Sequence, residues 1–360
     1  MKEVILIHHR AIAIYPPIIN LTRFFSEQKG IKVILFSTSF ANAPVFNQHV
    51  EMGRKSYSST GLGSLQFYFD VFRKLVEKPQ VPVFYFESLS SLPVWLYLKV
   101  FRRSKRKTLA HFHEFFSAGD YLRQSFWEKN GRRLEGKIFH KLSWISHTNS
   151  DRLSFFKKEF PHLESSKLHV LPNFPPSAWQ VEQPMAKSGS LKFVYVGSLS
   201  FETIYVKEFV AWLNSISASA TCDFYSLNAN VEMIDYLKNQ SRNVAYKGPL
   251  SYEDLPKILP QYHIGLIMYR GLSKNVIFSA PNKLFEYLAC GLDVWCSSEL
   301  ISSKPYSLTE TFPKVIMVDF TKLNEFDYES ALDRQGLTFK PSPYRMEPVL
   351  ENLFQVLNQE

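Results

Sequence analysis

The sequence is poor in cysteine and has no long uninterrupted apolar run. Its three cysteines, Cys222, Cys290 and Cys296, are widely spaced and lie inside apolar stretches. This argues against a disulfide framework or a CxxC metal site, and predicts a reducing compartment. Only four consecutive apolar residues precede His8, fewer than the roughly seven that form the core of a signal peptide. The longest apolar stretch, residues 81–101, is interrupted by charged residues, so we expect no membrane-spanning helix.

The glycine pattern GxGxxG is also missing at the two places where it would matter. The first strand of the N-terminal half is followed by HHRAIAIYPP, and that of the C-terminal half by GSLSFETIY. A dinucleotide site of the dehydrogenase type is therefore disfavoured.

The 360 residues, of which 45 % are hydrophobic and 21 % charged, are typical of a folded chain with two domains. A proline-rich segment, PNFPPS, interrupts the pattern near the middle. We predict an N-terminal domain at 1–173, a linker at 174–190 and a C-terminal domain at 191–340. A final helix at 341–360 is expected, and it is a candidate to cross back to the N-terminal domain.

Short apolar strands alternate with amphipathic helices throughout both halves. Strands are predicted at Val4–His8, Val33–Ser37, Val83–Phe86 and Thr108–Phe112, and again from Leu191–Val196 onward. Fully apolar strands separated by helices indicate parallel sheets covered on both faces. We therefore predict an α/β protein of two Rossmann-like, doubly wound domains that face each other across a cleft. In such folds ligands bind beyond the carboxyl ends of the strands.

Positive charge is concentrated in the first half. Residues 1–173 carry 26 Lys and Arg against 13 Asp and Glu, whereas the remainder carries 16 against 20. A basic half favours nucleic acid, an anionic membrane or an anionic substrate as partner, and composition leaves these alternatives open.

The strongest local signal is APNKLFEYLACGLDV, from Ala280 to Val294. Pro281 is suited to the start of a helix and Gly291 to its end, while Lys283 and Glu286 lie three positions apart on one face. From the residues alone, an ordinary amphipathic helix with an ion pair remains an alternative to a binding site.

This segment resembles the donor-site helix of nucleotide-sugar glycosyltransferases with the GT-B fold, of the group-1 or family-4-like kind. Other similar segments follow in the order expected for that family: LAHFHE (109–114), LPNFPP (171–176), FVYVGSLS (193–200) and VAYKGPLSYEDLPKILPQYHIGLIMY (244–269). The resemblance therefore spans most of the chain.

The resemblance implies a set of donor-binding residues. Glu286 matches the carboxylate that accepts hydrogen bonds from the ribose hydroxyls, and the start of its helix matches the site of the diphosphate. The turn after the first strand of the C-terminal domain would face that diphosphate. The implied set is Gly197, Ser198, Tyr269, Arg270, Lys274, Pro281, Asn282, Lys283, Leu284 and Glu286.

Two positions depart from the family pattern. Many retaining members place a second glutamate eight positions before the first, where this chain has Phe278. They also carry basic residues after the glycine turn, whereas here the next one is Lys207. We expect Arg270 and Lys274 to supply that charge instead.

A second constellation, HFHEFFSAGD, follows a predicted strand of the basic half. The spacing of His111, His113, Glu114 and Asp120 lacks a further ligand for a metal ion. A carboxylate or imidazole at a strand end suits contact with a sugar or general-base work on a hydroxyl group. The candidate catalytic residues are Glu114, Asp120, His113 and Glu87, with helix capping and surface hydration as the alternative.

Basic and aromatic residues form a third feature, in KVFRRSKRK (99–107) and FWEKNGRRLEGKIFHKLSW (126–144). A basic, aromatic surface suits an anionic membrane. The predicted membrane patch consists of Arg102, Arg103, Lys105, Arg106, Lys107, Arg132 and Arg133. A solvated face or a nucleic-acid patch is the alternative, although no nucleic-acid-binding motif accompanies it.

Together these features predict a hexosyltransferase that works without a metal ion or a tightly bound cofactor. Its donor would be a UDP- or GDP-sugar, and its acceptor a glycan or lipid-linked glycan of the cell envelope. We expect it in the cytoplasm, peripheral at the inner face of the plasma membrane. The competing interpretations are a non-catalytic sugar-nucleotide-binding subunit of a glycosyltransferase complex and, third, a nucleic-acid binder; the oligomeric state is left open.

Overall fold

The computed structural model describes residues 1–57, 61–116, 120, 126–183, 190–216, 219–240 and 243–358. The chain divides into two compact units. The first comprises Met1–Asn173 together with Met346–Glu360, and the second comprises Phe174–Arg345.

The first unit is built on a seven-stranded parallel sheet in the order β3-β2-β1-β4-β5-β6-β7. Every residue of the central strands β4 and β5 is buried, because helices cover both faces of a parallel sheet. The strands are β1 (Glu3–His8), β2 (Lys32–Ser37), β3 (Val50–Met52), β4 (Val83–Phe86), β5 (Thr108–Phe112), β6 (Trp144–His147) and β7 (Leu168–Val170).

Five helices accompany these strands in the described part of 1–173. They are α1 (Pro16–Arg23, continued as one π-helical turn over Phe24–Gln28), α2 (Gly61–Glu77), α3 (Leu92–Val100), α4 (Phe126–Gly136) and α5 (Ser150–Glu159). The local sequence defines where some of these helices begin. Asn149 caps α5, since its side chain accepts a hydrogen bond from the Arg152 N–H at 2.9 Å.

The second unit repeats the architecture with a six-stranded parallel sheet, in the order β10-β9-β8-β11-β12-β14, and a two-stranded sheet of β13 and β15. Its strands are β8 (Leu191–Val196), β9 (Ala220–Tyr225), β10 (Val244–Gly248), β11 (Ile264–Ile267), β12 (Asp293–Ser297), β13 (Thr311–Phe312), β14 (Val315–Val318) and β15 (Thr338–Phe339). Its helices are α6 (Val206–Ser215), α7 (Val231–Lys238), α8 (Leu255–Ile258), α9 (Lys274–Ile277), α10 (Asn282–Ala289) and α11 (Tyr328–Leu332).

The last helix, α12 (Met346–Asn358), belongs to the first unit. Lys107 donates from its Nζ to the carbonyl of Leu357 at 3.2 Å, and the amino group of Met1 donates to the Asn358 side chain at 2.8 Å. These contacts fix the end of the helix against β5 and β1.

Both sheets contain a point where the strand order reverses. In the first unit this point lies between β1 and β4, and in the second between β8 and β11. The chain leaves neighbouring strands in opposite directions there, which opens a crevice beyond their carboxyl ends. The residues that directly follow β1, β4, β8 and β11 are therefore placed to bind ligands.

The prediction of two Rossmann-like α/β domains with parallel sheets is confirmed. The structure adds elements that the pattern did not indicate, namely the edge strand β3 and the β13–β15 pair. These strands have only two or three residues, too few for a periodic signal.

Candidate functional sites

The turn after β8 is tightly constrained. The Gly197 N–H donates to the Tyr225 carbonyl at 3.1 Å, and the Tyr195 hydroxyl donates to the Ser198 carbonyl at 2.7 Å. A Cβ on Gly197 would lie 3.0 Å from that hydroxyl. Because Gly197 has no side chain, the Tyr195 hydroxyl can reach the Ser198 carbonyl and stabilise the turn.

Helix α10 packs closely beside this turn. The Val196 N–H, at the end of β8, donates to the Tyr287 hydroxyl at 3.0 Å. On β11, a Cβ at Gly265 would overlap the ring of Tyr287, so glycine is required for the helix to approach the sheet. The glycine turn and α10 therefore form one local structure at the switch point.

The start of α10 is open to an anion. Pro281 precedes the helix in an extended conformation and no side chain caps it, although the Leu284 N–H donates to the Pro281 carbonyl at 2.9 Å. Pro281, Asn282 and Lys283 are half-buried, and Leu284 is fully buried beneath them. Uncapped N–H groups and the positive end of the helix dipole favour phosphate at such a position.

Glu286 is only 2 % exposed, one turn into the same helix. Its Oε2 forms a close ion pair with the Lys283 ammonium group. Burial, with Glu286 as the next cause, raises the pKa of the Tyr269 hydroxyl to about 12. Tyr269 follows β11, so the structure brings Lys283, Glu286 and Tyr269 together.

Arg270 is already engaged within the second unit. Its NH2 donates to Glu208 Oε1 at 2.6 Å, its Nε donates to the Ile204 carbonyl at 3.3 Å, and its guanidinium stacks 4.1 Å from the Tyr205 ring centre. Lys274 begins α9 and is exposed. Arg270 and Lys274 were both expected to supply the basic charge that the glycine turn lacks. Arg270 pairs with Glu208, whereas Lys274 lies at the surface.

Glu299 was missed by the sequence analysis. It follows β12, and its Oε1 accepts a hydrogen bond from the Tyr205 hydroxyl at 2.7 Å, while Oε2 accepts one from the Gly271 N–H. Its position at the end of a strand, in the run CSSE, is the only feature of the sequence that could have indicated a functional role for Glu299.

The first unit contains a pocket of about 410 Å³ at its own switch point. Polar and charged groups at the ends of β1, β4 and β5 line it, together with Glu128 of α4. The lining residues are His8, His9, Arg10, Glu87, Ser88, Leu89, Ser90, Glu114, Phe116 and Glu128.

Glu87 closes β4 in a conformation that side chains rarely adopt, with φ at +64°. Its Oε1 accepts hydrogen bonds from the backbone N–H groups of His113, at 2.7 Å, and Glu114, at 3.3 Å. Burial first, and then the nearby Glu114, raise the pKa of the Glu87 carboxyl to about 8, although these amides and Arg10 act in the opposite direction. The raised pKa favours the protonated form of Glu87 near neutral pH.

The two histidines of HFHE lie inside the unit. Burial lowers the pKa of His111 to about 3 and that of His113 well below its ordinary value, so both rings are neutral. His113 stacks on Phe86 with ring centres 5.7 Å apart, and its Nδ1 lies 3.3 Å from the Asn173 side-chain nitrogen.

Of the four predicted catalytic residues, the structure thus brings Glu87 and Glu114 together in the pocket. His113 is absent from the pocket lining and packs against strand residues instead. Asp120 is half-buried and stands between two stretches, 117–119 and 121–125, that lie outside the described residues.

The membrane patch needs correction at two of its seven residues. Arg102, Arg103, Lys105 and Arg133 are exposed and Lys107 is half-buried. Arg106, however, is 5 % exposed, since it donates to the Leu75 carbonyl at 2.6 Å and stacks on Tyr97.

Arg132 is 9 % exposed. It lies over the rings of Phe139, Phe156 and Phe160 and pairs with Glu159 at 3.3 Å. Arg106 and Arg132 are thus structural residues, and their inclusion in an exposed patch was wrong.

The first unit also has an exposed apolar surface. The solvent face of α2 carries Leu62, Leu65, Phe69 and Val76, which are 77, 52, 64 and 42 % exposed. Helices α2 and α3 pack together, and right-handed crossovers place both on the same face of the sheet. Arg102, Arg103 and Lys105 directly follow α3, the helix that packs on α2.

None of the helices described is both long and apolar enough to cross a membrane. In the same part of the chain, no three His, Cys, Asp or Glu side chains are grouped to hold a metal ion.

The whole chain has the GT-B fold, as the resemblance predicted. HepE from Anabaena, solved in complex with UDP-glucose, superimposes with a TM-score of 0.68 at 10 % identity, covering 99 % of each chain. A sucrose-phosphate synthase from Thermosynechococcus elongatus gives 0.67 at 14 % identity, covering 100 % of this chain and 99 % of its own.

A third structure, the lipopolysaccharide outer core galactosyltransferase WaaB in its apo form, gives a TM-score of 0.65 at 11 % identity, with 99 % of each chain covered. No protein-family model matches the sequence, and no curated protein matches it. These identities show the shared fold and leave the activity to be argued from the sites.

Proposed function

We propose that the protein is a glycosyltransferase that moves a hexose from a UDP- or GDP-sugar to a hydroxyl group of a glycan or lipid-linked glycan of the cell envelope. One observation carries the proposal. A buried carboxylate, Glu286, lies on the first turns of a helix whose start is uncapped and which packs beside the Gly197 turn. The GT-B fold, shared with HepE bound to UDP-glucose, supports it.

The carboxylate suits a ribose. Two vicinal hydroxyls can both donate to one carboxylate, and such charge-assisted hydrogen bonds are stronger than neutral ones. In the structure Lys283 pairs with Oε2 of Glu286. The donor's hydroxyls would join Lys283 as partners of this carboxylate, so no charge is left unpaired in the bound state.

The diphosphate would lie at the start of α10. Backbone N–H groups there, the helix dipole and the ammonium group of Lys283 all favour its negative charge. Ser198, Asn282 and the exposed Lys274 complete the proposed cradle. These groups supply the positive potential that the diphosphate leaving group requires, in a site without a resident cofactor.

Transfer would use the pocket of the first unit. As the acceptor oxygen bonds to the anomeric carbon, the bond to the diphosphate oxygen breaks and the hydroxyl proton moves to a base. Glu87 favours its protonated form near neutral pH, since its pKa is raised to about 8. In an inverting reaction Glu114 is therefore preferred over Glu87 as the base, and a retaining reaction needs neither of them.

A non-catalytic sugar-nucleotide-binding subunit is the second candidate. It is favoured by Phe278 at the position of a second glutamate and by the engagement of Arg270 with Glu208. Such a subunit would bind the donor yet show neither transfer nor slow hydrolysis of the nucleotide-sugar across a broad acceptor panel.

We also propose that the protein is cytoplasmic and attaches to the inner face of the plasma membrane through the first unit. Two exposed features of this unit support the proposal: the basic residues Arg102, Arg103 and Lys105, and the apolar face of α2. Basic residues attract anionic lipid headgroups, while exposed apolar side chains insert among the lipid acyl chains.

The experiment that tests the donor assignment is a thermal-shift screen with UDP, GDP, TDP and CMP. A ligand that binds only the folded state raises the melting temperature by mass action. We expect UDP or GDP to raise it and the corresponding nucleoside to raise it less. An equal response to the nucleoside and its diphosphate would contradict the phosphate cradle.

A further inference from the structure

Tyr205 connects three loops of the second unit. It is 5 % exposed and directly precedes α6, at the end of the loop that follows β8. Its backbone N–H donates to the carbonyl of Met268, the first residue after β11, at 2.9 Å. Its hydroxyl donates at 2.7 Å to Oε1 of Glu299, which follows β12. The loops beyond the carboxyl ends of β8, β11 and β12 are therefore joined at one residue.

Arg270 strengthens the contact between the loops after β8 and β11. Its backbone N–H donates to the Thr203 carbonyl at 2.9 Å, and its Nε donates to the Ile204 carbonyl at 3.3 Å. Its guanidinium lies 4.1 Å from the centre of the Tyr205 ring. These contacts hold the loop after β11 in place as far as Arg270.

Glu299 extends this anchoring by one residue. Its Oε2 accepts a hydrogen bond from the Gly271 N–H. A Cβ on Gly271 would lie 3.1 Å from the Cβ of Glu299, so the loop packs closely against this side chain. The next three residues, 272–274, are exposed, and the last of them is Lys274. The exposed segment that carries Lys274 thus starts from a residue that Glu299 holds.

We infer that Glu299 is a positioning residue for the nucleotide-sugar: it holds Gly271 and Tyr205 so that the ammonium group of Lys274 is directed at the diphosphate. The inference rests on the proposed function, since it assigns a further residue to the diphosphate cradle. A lysine that is held in place before binding loses less conformational freedom when the diphosphate binds. Glu299 itself does not contact the donor, because its negative charge repels a diphosphate and both its oxygens already accept hydrogen bonds.

Three variants separate the position of this side chain from its charge. Glu299→Ala removes both hydrogen bonds. Glu299→Gln removes the charge and keeps them, because its amide oxygen can accept from the Gly271 N–H and its amide NH2 can donate to the Tyr205 hydroxyl. Tyr205→Phe removes the hydroxyl alone and leaves the ring beside Arg270.

The matched control is Glu329→Ala. Glu329 is also exposed, and its Oε1 accepts from a tyrosine hydroxyl, that of Tyr328, at 3.4 Å. It lies on α11, where the Ala331 carbonyl accepts from the Nζ of Lys314 at 2.9 Å. Because Lys314 directly precedes β14, this control lies at the amino ends of the parallel strands, away from the proposed donor site.

The measurement is an NMR titration of UDP and GDP into the full chain, each compared with its nucleoside. The affinity of the diphosphate relative to that of the nucleoside reports the contribution of the phosphate groups. For the nucleotide that binds the wild type, we expect this ratio to fall roughly tenfold in Glu299→Ala and severalfold in Tyr205→Phe. Nucleoside affinity should stay unchanged in both, whereas a general loss of structure would lower it as well. Glu329→Ala should keep the wild-type ratio, and Glu299→Gln should keep or exceed it.

A double variant tests whether Glu299 acts through Lys274. Lys274→Ala should lower the same ratio, because the diphosphate loses an ammonium group. Glu299→Ala/Lys274→Ala should then bind UDP or GDP as weakly as Lys274→Ala does, since no ammonium group remains to be positioned. Such non-additivity is expected only for residues that act together.

Three outcomes overturn the inference: an unchanged ratio in Glu299→Ala, an equal loss in Glu299→Gln and Glu299→Ala, or additive effects of Glu299→Ala and Lys274→Ala. If Glu299→Ala does not fold, an unchanged ratio in Tyr205→Phe overturns it instead. The wild type separates this inference from the proposed function. Wild-type binding with an unchanged ratio in Glu299→Ala refutes only the role of Glu299, whereas no binding of UDP or GDP to the wild type refutes both.

Discussion

At the scale of single residues, the Lys283–Glu286 pair combines a structural and a functional requirement. The Glu286 side chain is 2 % exposed and that of Lys283 is 18 % exposed, so the pair is largely shielded from water. A buried carboxylate that loses its partner is strongly destabilising. The same carboxylate must nevertheless stay accessible to a ligand, which is why a lysine that keeps contact with water suits the pair.

We predict that Lys283→Ala lowers the free energy of unfolding of the second unit by about 2 kcal/mol, because Glu286 is left buried and unpaired. The double variant Lys283→Ala/Glu286→Gln should recover much of this loss, since no charge then remains buried. Urea denaturation of both variants measures the difference. If the double variant is less stable than Lys283→Ala, the unpaired charge of Glu286 is not the cause of the stability lost in Lys283→Ala.

Glu87 gives a second prediction at this scale, with a defined dependence on pH. Its folded-state pKa of about 8 lies above the ordinary value of 4.5, so between these values the folded state binds more protons than the unfolded state. Its contribution to stability is therefore fully present below pH 4.5 and is lost as the pH rises through 8.

Glu87→Gln should accordingly match the wild type near pH 4.5 and exceed its stability near pH 8 by about 4 kcal/mol, because each unit between pKa 4.5 and 8 corresponds to about 1.4 kcal/mol. The glutamine oxygen can still accept from the His113 and Glu114 amides, so the backbone conformation is retained. Urea denaturation across this pH range is the measurement. A stability difference that does not change with pH would contradict the raised pKa.

At the scale of secondary-structure elements, close packing of α10 on β11 positions the donor site. It depends on Gly265, whose missing side chain leaves room for the ring of Tyr287. Through its hydroxyl, Tyr287 in turn reaches the end of β8. The distance between the glycine turn and the helix start is thus set by one strand residue.

We predict that Gly265→Ala destabilises the second unit by about 2 kcal/mol or more, because the added methyl group displaces the Tyr287 ring. Nucleotide affinity should fall as well, since α10 moves away from the Gly197 turn. The control is Gly136→Ala, where a Cβ would lie 3.7 Å from Phe160 and the change should stay within about 1 kcal/mol. Equal stability changes in Gly265→Ala and Gly136→Ala would contradict the claim that the Tyr287 ring requires a glycine at position 265.

Elements of the fold were predictable where burial leaves a pattern in the sequence. Strands such as β4 and β5, buried at every residue, appear as short continuous apolar runs. The half-exposed strand β3 carries no such pattern. The partners of Arg132 were also unpredictable, since Phe156 and Phe160 are more than 20 residues away in the sequence and only the fold brings them together.

At the scale of the whole molecule, the structure shows where the excess positive charge of the first half lies. Part of the excess positive charge of the first half is buried in Arg106 and Arg132, and part is exposed at Arg102, Arg103 and Lys105. The sequence predicted a charged surface, but the exposed apolar face of α2 was not distinguishable from a buried helix face. Which face of an amphipathic helix meets water is decided by tertiary packing.

We predict that the wild type co-sediments with anionic vesicles, less with neutral ones, and less again as salt shortens the electrostatic reach to about 8 Å at physiological ionic strength. Both Leu65→Ser/Phe69→Ser and Arg102→Glu/Arg103→Glu/Lys105→Glu should reduce binding. Leu227→Ser/Val231→Ser, on the exposed surface of the second unit, is the matched control. Equal binding of all four proteins, or no binding of the wild type at low salt, would contradict the proposed membrane surface.

The central claim is that the second unit binds a nucleotide-sugar through Glu286. Its most direct test is calorimetric titration of UDP-glucose and GDP-mannose into the wild type, Glu286→Gln and the control Glu310→Gln, which alters an exposed carboxylate of the same unit. We predict that the wild type and the control bind one of the two donors with equal affinity, and that Glu286→Gln loses about 2 to 3 kcal/mol of binding free energy while remaining folded. Unchanged donor affinity in a folded Glu286→Gln variant, or no binding of either donor to the wild type, would refute the proposed donor site.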